Sequence, residues 1–232
     1  MHKLLMANLM HNLNIQIEID SELYSKNPDS SALGRKIINN SIELIYEIGF
    51  DAFTFKKLGT LISSPESSIY RYFDNKHSLL LYLTSWYWTW TEYQLAFVTT
   101  NIVSPQERLK RSIKMLTKSV VEDTAVSFVN EVLLSEIIFS ESIKAYHTKS
   151  VDEENKKGCF RAYKRVVQRV SDNVLEINPE FLYPHMLVST VIEGSHHQKY
   201  FSEHLPALTD VKKNDNSITN FYTEMVFNFL EK

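Results

Sequence analysis

Cysteine, glycine and proline are all scarce in this chain: its 232 residues include one cysteine (Cys159), five glycines and six prolines. A single cysteine excludes an internal disulfide framework and any multi-cysteine metal site, which suits a reducing compartment and leads us to expect a cytoplasmic protein. With so few glycines and prolines, little interrupts long helices. No apolar run is long enough to span a bilayer, so no membrane partner is expected. The opening MHKLLMANLMHNL is too broken by Asn8, His11 and Asn12 to read as a secretory signal. Charge of one sign is missing as well: 25 Lys and Arg stand against 28 Asp and Glu, for a net charge of −3. Attraction for a polyanion must therefore come from the placement of a few side chains. No glycine-rich phosphate loop, nucleophile–base–acid set or paired metal motif is present, so neither an enzyme, a catalytic residue nor a cofactor is expected.

What the chain does have is helical periodicity. Residues 1–30 read as an extension, in which Leu13, Ile15, Ile17 and Ile19 alternate with polar residues as a short strand would. Such a strand lies along its own domain, pairs with a second subunit, or is a loosely held arm. Glu18, Asp20, Glu22 and Asp29, with Lys26 as the nearby base, argue against its entering a DNA groove. From residue 31 onward the pattern predicts an all-α chain of about nine helices. Breaks are expected at Ser104-Pro105, Asn178-Pro179 and Leu205-Pro206, and single helices over Thr124–Ser140 and Asp152–Glu176.

The stretch FTFKKLGTLISSPESSIYRYFDNK, residues 53–76, carries the most chemistry. Thr54 is placed to cap a helix in which Phe55, Leu58, Leu61 and Ile62 recur at helical spacing. Ser63, Ser64 and Pro65 then stop it, and the Ser63–Glu66 spacing matches a capping box opening a second short helix. Ile69 and Phe73 would face inward. Ser67, Ser68, Tyr70, Arg71 and Tyr72 would then lie on the sides and outer face. Hydroxyls and a guanidinium can donate to phosphates, and Arg and Ser can also meet base edges in a major groove. Lys56, Lys57 and Lys76 would complete a phosphate-contacting rim, although a solvated helical hairpin would carry the same surface lysines. Between Ser30 and Leu80 six basic side chains face five acidic ones, so position rather than bulk charge would decide.

These residues resemble the TetR-type bacterial transcriptional regulators. The resemblance runs from about Leu33 to Leu80. It is carried by Ile37-Ile38 and Ile42–Ile45 in a first helix, Gly49-Phe50 as its terminator, Phe53-Thr54-Phe55, Ile69-Tyr70-Arg71-Tyr72-Phe73, Lys76, and Leu79-Leu80. It implies a three-helix DNA-binding domain over 31–80, joined by a long fourth helix to a helical regulatory and dimerisation domain over 81–232. It also implies double-stranded DNA, a second copy of the chain and a small-molecule effector as partners, with Thr54, Lys56, Lys57, Ser67, Ser68, Tyr70, Arg71, Tyr72 and Lys76 at the DNA. The chain departs from the family at Gly59, where Ala is usual, at Ser63-Ser64-Pro65, where Gly-Val-Ser is usual, and at Glu66, which adds negative charge.

Leu79, Leu83, Trp86, Trp90, Tyr93 and Phe97 recur at intervals of four and three, which predicts one buried face on the fourth helix. Trp86, Trp90, Tyr93, Phe97, Phe128, Glu131, Phe139 and Tyr163 are candidates to line an apolar ligand pocket, and ordinary core packing accounts for them equally well. Val188, Val191, Ile192 and Ser195, with Ile218, Tyr222, Met225 and Phe229, read as two helices of an intersubunit four-helix bundle. Glu193, His196, His197 and His204 share a helix, but a di-metal site needs a second such motif and none is found, so no metal is expected. The leading reading is a homodimeric DNA-binding repressor released by an apolar or aromatic ligand. Its alternatives are a helical ligand-binding or dimerisation protein with a degenerate reading head and, more remotely, a metal-dependent helical oxidoreductase.

Overall fold

Serine, threonine and asparagine side chains cap five of the ten α-helices in the computed structural model, which describes residues 17, 19–120, 129–212 and 216–231. Among these residues are ten α-helices and three short 3-10 turns, with no strand. Ile17 and Ile19 lie in irregular backbone, and the rest of the anticipated strand, 13–16 and 18, lies outside the described residues. No helix among the described residues is long and apolar enough to cross a membrane. The chain packs as two units, the described parts of 1–89 with 120–160, and of 90–119 with 161–232.

In the first unit the turns Ser21–Leu23 and Pro28–Ser30 lead into α1 (Ala32–Ala52). Ser31 caps α1 by accepting from the Gly34 amide at 3.0 Å. Ile37, Ile38, Ser41, Ile42 and Ile45 form its buried stripe. Gly34 is dictated by contact, since a β-carbon there would stand 2.1 Å from the Pro28 carbonyl oxygen. α1 breaks at Gly49, whose φ of 76° is the left-handed conformation that glycine adopts without steric cost. Next come α2 (Phe55–Leu61), α3 (Glu66–Tyr70) and α4 (Lys76–Thr99), of which residues 76–89 belong to this unit and 90–99 to the second, and after the second unit's first segment α6 (Glu131–Tyr146) and α7 (Val151–Lys156). Asn130 caps α6 by accepting from the Leu133 amide at 3.0 Å. Since 129–130 are not helical, the single helix expected over Thr124–Ser140 starts later in its described part and runs on to Tyr146.

Two further expectations are corrected here. Every residue from Leu79 to Trp88 is buried, so this part of α4 is enclosed all round rather than along one face. The single helix anticipated over Asp152–Glu176 is two, because Gly158 at φ 93° turns the chain between α7 and α8 (Arg161–Ile177).

The second unit groups α5 (Pro105–Thr117), α8, α9 (Pro184–His204) and α10 (Ser217–Leu230), with the turn Pro206–Leu208 beside α9. Leu109, Ile113, Leu116, Val170, Val174, Leu187, Val188, Val191 and Val226 meet around a cavity of about 10 Å³, too small and apolar for a ligand. Arg108 knits this unit at one end, donating to the Ile102 and Val103 carbonyls at 2.8 and 2.9 Å and to Asn173 at 3.2 Å, and pairing with Glu176.

Candidate DNA-binding interface

The reading head is built on α2, a tight turn and α3. Thr54 caps α2 as expected, its hydroxyl accepting from the Lys57 amide at 3.2 Å. Phe55, Leu58 and Ile62 are buried, whereas Leu61 is 51% exposed and belongs to the outer surface. The turn folds back hard, the Ser64 amide donating to the Gly59 carbonyl at 2.9 Å. A β-carbon on Gly59 would lie 2.7 Å from the Ser64 carbonyl oxygen, so glycine here belongs to the turn geometry rather than weakening the helix. Ser63 takes φ 52°, left-handed backbone that costs a side chain energy.

The capping box does not form. Pro65 is the N-cap of α3 and makes no side-chain cap bond. Glu66 instead accepts from the Tyr70 hydroxyl at 3.3 Å. Desolvation, and then the Glu66 charge, raise the Tyr70 phenol above its ordinary pKa, so it stays a hydrogen-bond donor. The Tyr70 ring stands edge-on to Phe55 with centroids 5.1 Å apart.

Lys56, Lys57, Thr54, Ser67, Tyr70 and Arg71 are exposed and Ser68 is half-buried, all on the head. Two predicted contact residues sit elsewhere. Tyr72 is 2% exposed. Its hydroxyl lies 2.8 Å from the Ser31 hydroxyl, which joins the end of the recognition segment to the cap of α1. A side chain so enclosed positions the head and does not present itself on the outer surface. Lys76 turns its ammonium onto the end of α1, donating to the carbonyls of Phe50, Asp51 and Phe53 at 3.0, 3.0 and 3.3 Å. Three acceptors occupy its three donors, and its charge lies where a helix C-terminus favours a cation. Lys57 also donates to the Ala52 carbonyl at 2.9 Å.

Sequence reasoning missed three residues. Lys36 donates to the Ile62 carbonyl at 2.8 Å and so closes the end of α2. Asn75 caps α4, accepting from the Ser78 amide at 2.9 Å, a signal visible as Asn followed three residues later by Ser. Glu141 on α6 accepts from the Phe50 amide, just past the break in α1, at 3.1 Å. Nothing local in sequence could pair positions 91 apart.

The other predicted residues divide between the units. Trp86, Glu131 and Phe139 belong to the first, where Trp86 and Glu131 are 2% and 1% exposed; Trp90, Tyr93, Phe97 and Tyr163 belong to the second. Tyr163 donates to Glu193 at 2.7 Å. Phe128 lies outside the described residues. Val188, Val191, Ile192, Ser195 and Tyr222 are buried inside the second unit, and that removes them from any surface a second copy could meet. The small residues of α9 serve this internal packing, for a β-carbon on Gly194 would stand 2.1 Å from the Tyr222 hydroxyl. Exposed on α9 and α10 are Met186, Tyr200, Phe221 and Phe229, with Met225 and Ile218 half-buried. Among the described residues no cluster of His, Cys, Asp and Glu could hold a metal ion.

Two short helices meeting at a tight turn, with a hydroxyl- and cation-bearing outer face, define a helix-turn-helix protein. Residues 37–83 match the family described as bacterial regulatory proteins, tetR family. The fold extends the likeness. AibR in complex with isovaleryl coenzyme A and operator DNA superimposes with a TM-score of 0.57 at 16% identity, covering 83% of this chain and 98% of AibR. The superantigen PfiT superimposes with a TM-score of 0.54 at 13% identity, covering 88% of this chain and 97% of PfiT. No curated protein matches the sequence. Residues 37–83 thus resemble the DNA-binding segment of the tetR family, and the fold of the chain is the one seen in AibR.

Proposed function

We propose that the protein is a homodimeric repressor, working in the cytoplasm without catalysis, that binds a palindromic operator and is released by a small apolar or aromatic molecule. The observation that carries this reading is the outer face of the head, where Ser67, Tyr70 and Arg71 stand exposed at the end of α3 and Lys56 and Lys57 at the start of α2. These groups suit a major groove and its flanking phosphates, with Arg71 as the candidate for guanine or phosphate. A palindrome follows from two-fold symmetry, with half-sites about 34–36 Å apart or a multiple of that spacing. Response to a ligand is supported by AibR, whose structure holds both isovaleryl coenzyme A and operator DNA. Among the described residues α4 runs unbroken from Lys76, beside the head, to Thr99, and offers a rod by which a ligand would shift the head.

Selection of bound fragments from random DNA tests the reading. An enriched inverted repeat, with Arg71→Ala weakening its binding at least tenfold, is the expected result. Absence of any enriched sequence would favour the second reading, a helical ligand-binding or dimerisation protein with a degenerate head. One observation favours that alternative: Tyr72 and Lys76 are both engaged within the fold. PfiT also shows that this fold occurs in a protein whose stated role is not DNA reading.

A further inference from the structure

We propose that Lys26, carried by the N-terminal segment ahead of α1, is a phosphate-binding residue of the DNA interface and acts beside Arg71. The inference rests on the DNA-binding reading and extends it to a residue outside the stretch 37–83 that the family match covers.

The segment before α1 is fastened to the end of the recognition helix at several points. The Ser25 amide donates to the Tyr72 carbonyl at 2.9 Å, and the Ser25 hydroxyl donates to Asp74 at 3.0 Å. Asn27 caps the next turn by accepting from the Asp29 amide at 2.9 Å, and Pro28 seats against Gly34 of α1. Between these two anchors Lys26 is exposed, its ammonium 5.1 Å from the centre of the Tyr72 ring. A lysine fixed at its backbone on both sides loses less freedom on binding than a free arm would. The enclosure of Tyr72 has its cause here: the side chain expected on the DNA face is covered by the segment that brings a cation to that place.

The electrostatics agree. Burial pushes the Tyr72 phenol up, yet its bond to Ser31 and the nearby charges of Lys26 and Arg71 lower it on balance, so both cations lie close to one phenol. Two of the acids that argued against a role for this segment, Asp20 and Asp29, are engaged elsewhere. Asp20 caps the turn Ser21–Leu23, and Asp29 is partly buried close to Arg35. Asp74 is engaged by the Ser25 hydroxyl.

The test is the salt dependence of duplex binding by the full chain and by Lys26→Gln and Lys26→Arg. It is measured on the selected operator or, if none is selected, on a random duplex. Each phosphate contact contributes about 0.9 to the slope of log affinity against log salt, so a dimer losing two should show a slope shallower by roughly 1.8. Lys26→Gln should also bind about three- to tenfold more weakly at physiological salt, with an unchanged melting temperature, and Lys26→Arg should restore slope and affinity. An unchanged slope in Lys26→Gln overturns the inference while leaving the DNA-binding reading standing. So does a fall in melting temperature with the slope unchanged, which would make Lys26 a cover for the Tyr72 ring and nothing more. Failure of the unaltered chain to bind any duplex overturns both.

Discussion

A β-carbon at residue 59 would meet the Ser64 carbonyl oxygen at 2.7 Å, and four residues further along the chain Ser63 holds φ 52°. The two departures from the family pattern are therefore one feature, a turn whose glycine has moved from its usual place into α2. Helix propensity alone favours Gly59→Ala by about 1 kcal/mol, but overpacking against backbone costs about 1–3 kcal/mol. Gly59→Ala should therefore destabilise the chain by about 1 kcal/mol or more. At Ser63 the sign reverses. Left-handed backbone costs a non-glycine residue about 1–2 kcal/mol, and glycine's extra unfolded-state freedom returns part of that, so Ser63→Gly should stabilise by about 0.5–1 kcal/mol. Denaturant melts of the two variants check both signs, and a stabilised Gly59→Ala would refute the account of the turn. At this scale the cap by Thr54 and the inward Ile69 and Phe73 were legible, because each depends on neighbours within a few residues. Tyr72 and Lys76 were not, because what occupies them, Ser31 and the carbonyls of Phe50, Asp51 and Phe53, lies 23 or more residues away.

Helix α1 ends under the control of another element. Its break at Gly49 leaves the Phe50 amide without a helical acceptor, and Glu141 of α6 supplies one at 3.1 Å. Lys144 pairs with both Glu141 and Asp51, each at 2.8 Å. The two pairs differ in weight. The Asp51 side chain is 85% exposed, so solvent screens that pair heavily, whereas the Glu141 side chain is only 12% exposed. Glu141→Ala strands an amide and removes a charged acceptor, and should cost about 1.5–3 kcal/mol. Lys144→Ala should cost less than about 1 kcal/mol. Hydrogen exchange adds a local reading: the Phe50 amide should lose protection in Glu141→Ala ahead of the interior of α1, and unchanged protection would remove Glu141 from the role. The start at Ser104-Pro105 was readable because a serine cap and a proline mark it together, whereas the caps Asn75 and Asn130, each standing without a proline, were passed over. The split at Gly158 was missed because the apolar stripe of α8 is strong enough to mask a single left-handed residue before it.

At the scale of the whole molecule, the helices expected at a subunit interface show why a periodic stripe identifies a buried face without saying what buries it. Val188, Val191, Ile192, Ser195 and Tyr222 satisfy the pattern and are consumed inside their own unit. The opposite side of the same helices leaves Met186, Phe221 and Phe229 at 67%, 60% and 50% exposure. Phe221, Met225 and Phe229 also line a shallow surface groove with Glu224 and Asn228. If two copies meet through α9 and α10, this exposed side is the surface they share, since a stable interface needs about 800 Å² from each partner and the buried set offers none. Phe221→Asp with Phe229→Asp should therefore yield a folded monomer by sedimentation, with helical content and melting behaviour little changed. A single head then binds its half-site without the effective concentration that a linked second head provides, so operator affinity should fall by about a hundredfold or more. Val191→Asp is the contrasting case. It places a charge in a packed interior and should unfold the second unit rather than separate two copies. A double variant that remains dimeric and grips its operator as before would transfer the interface to another face of the molecule.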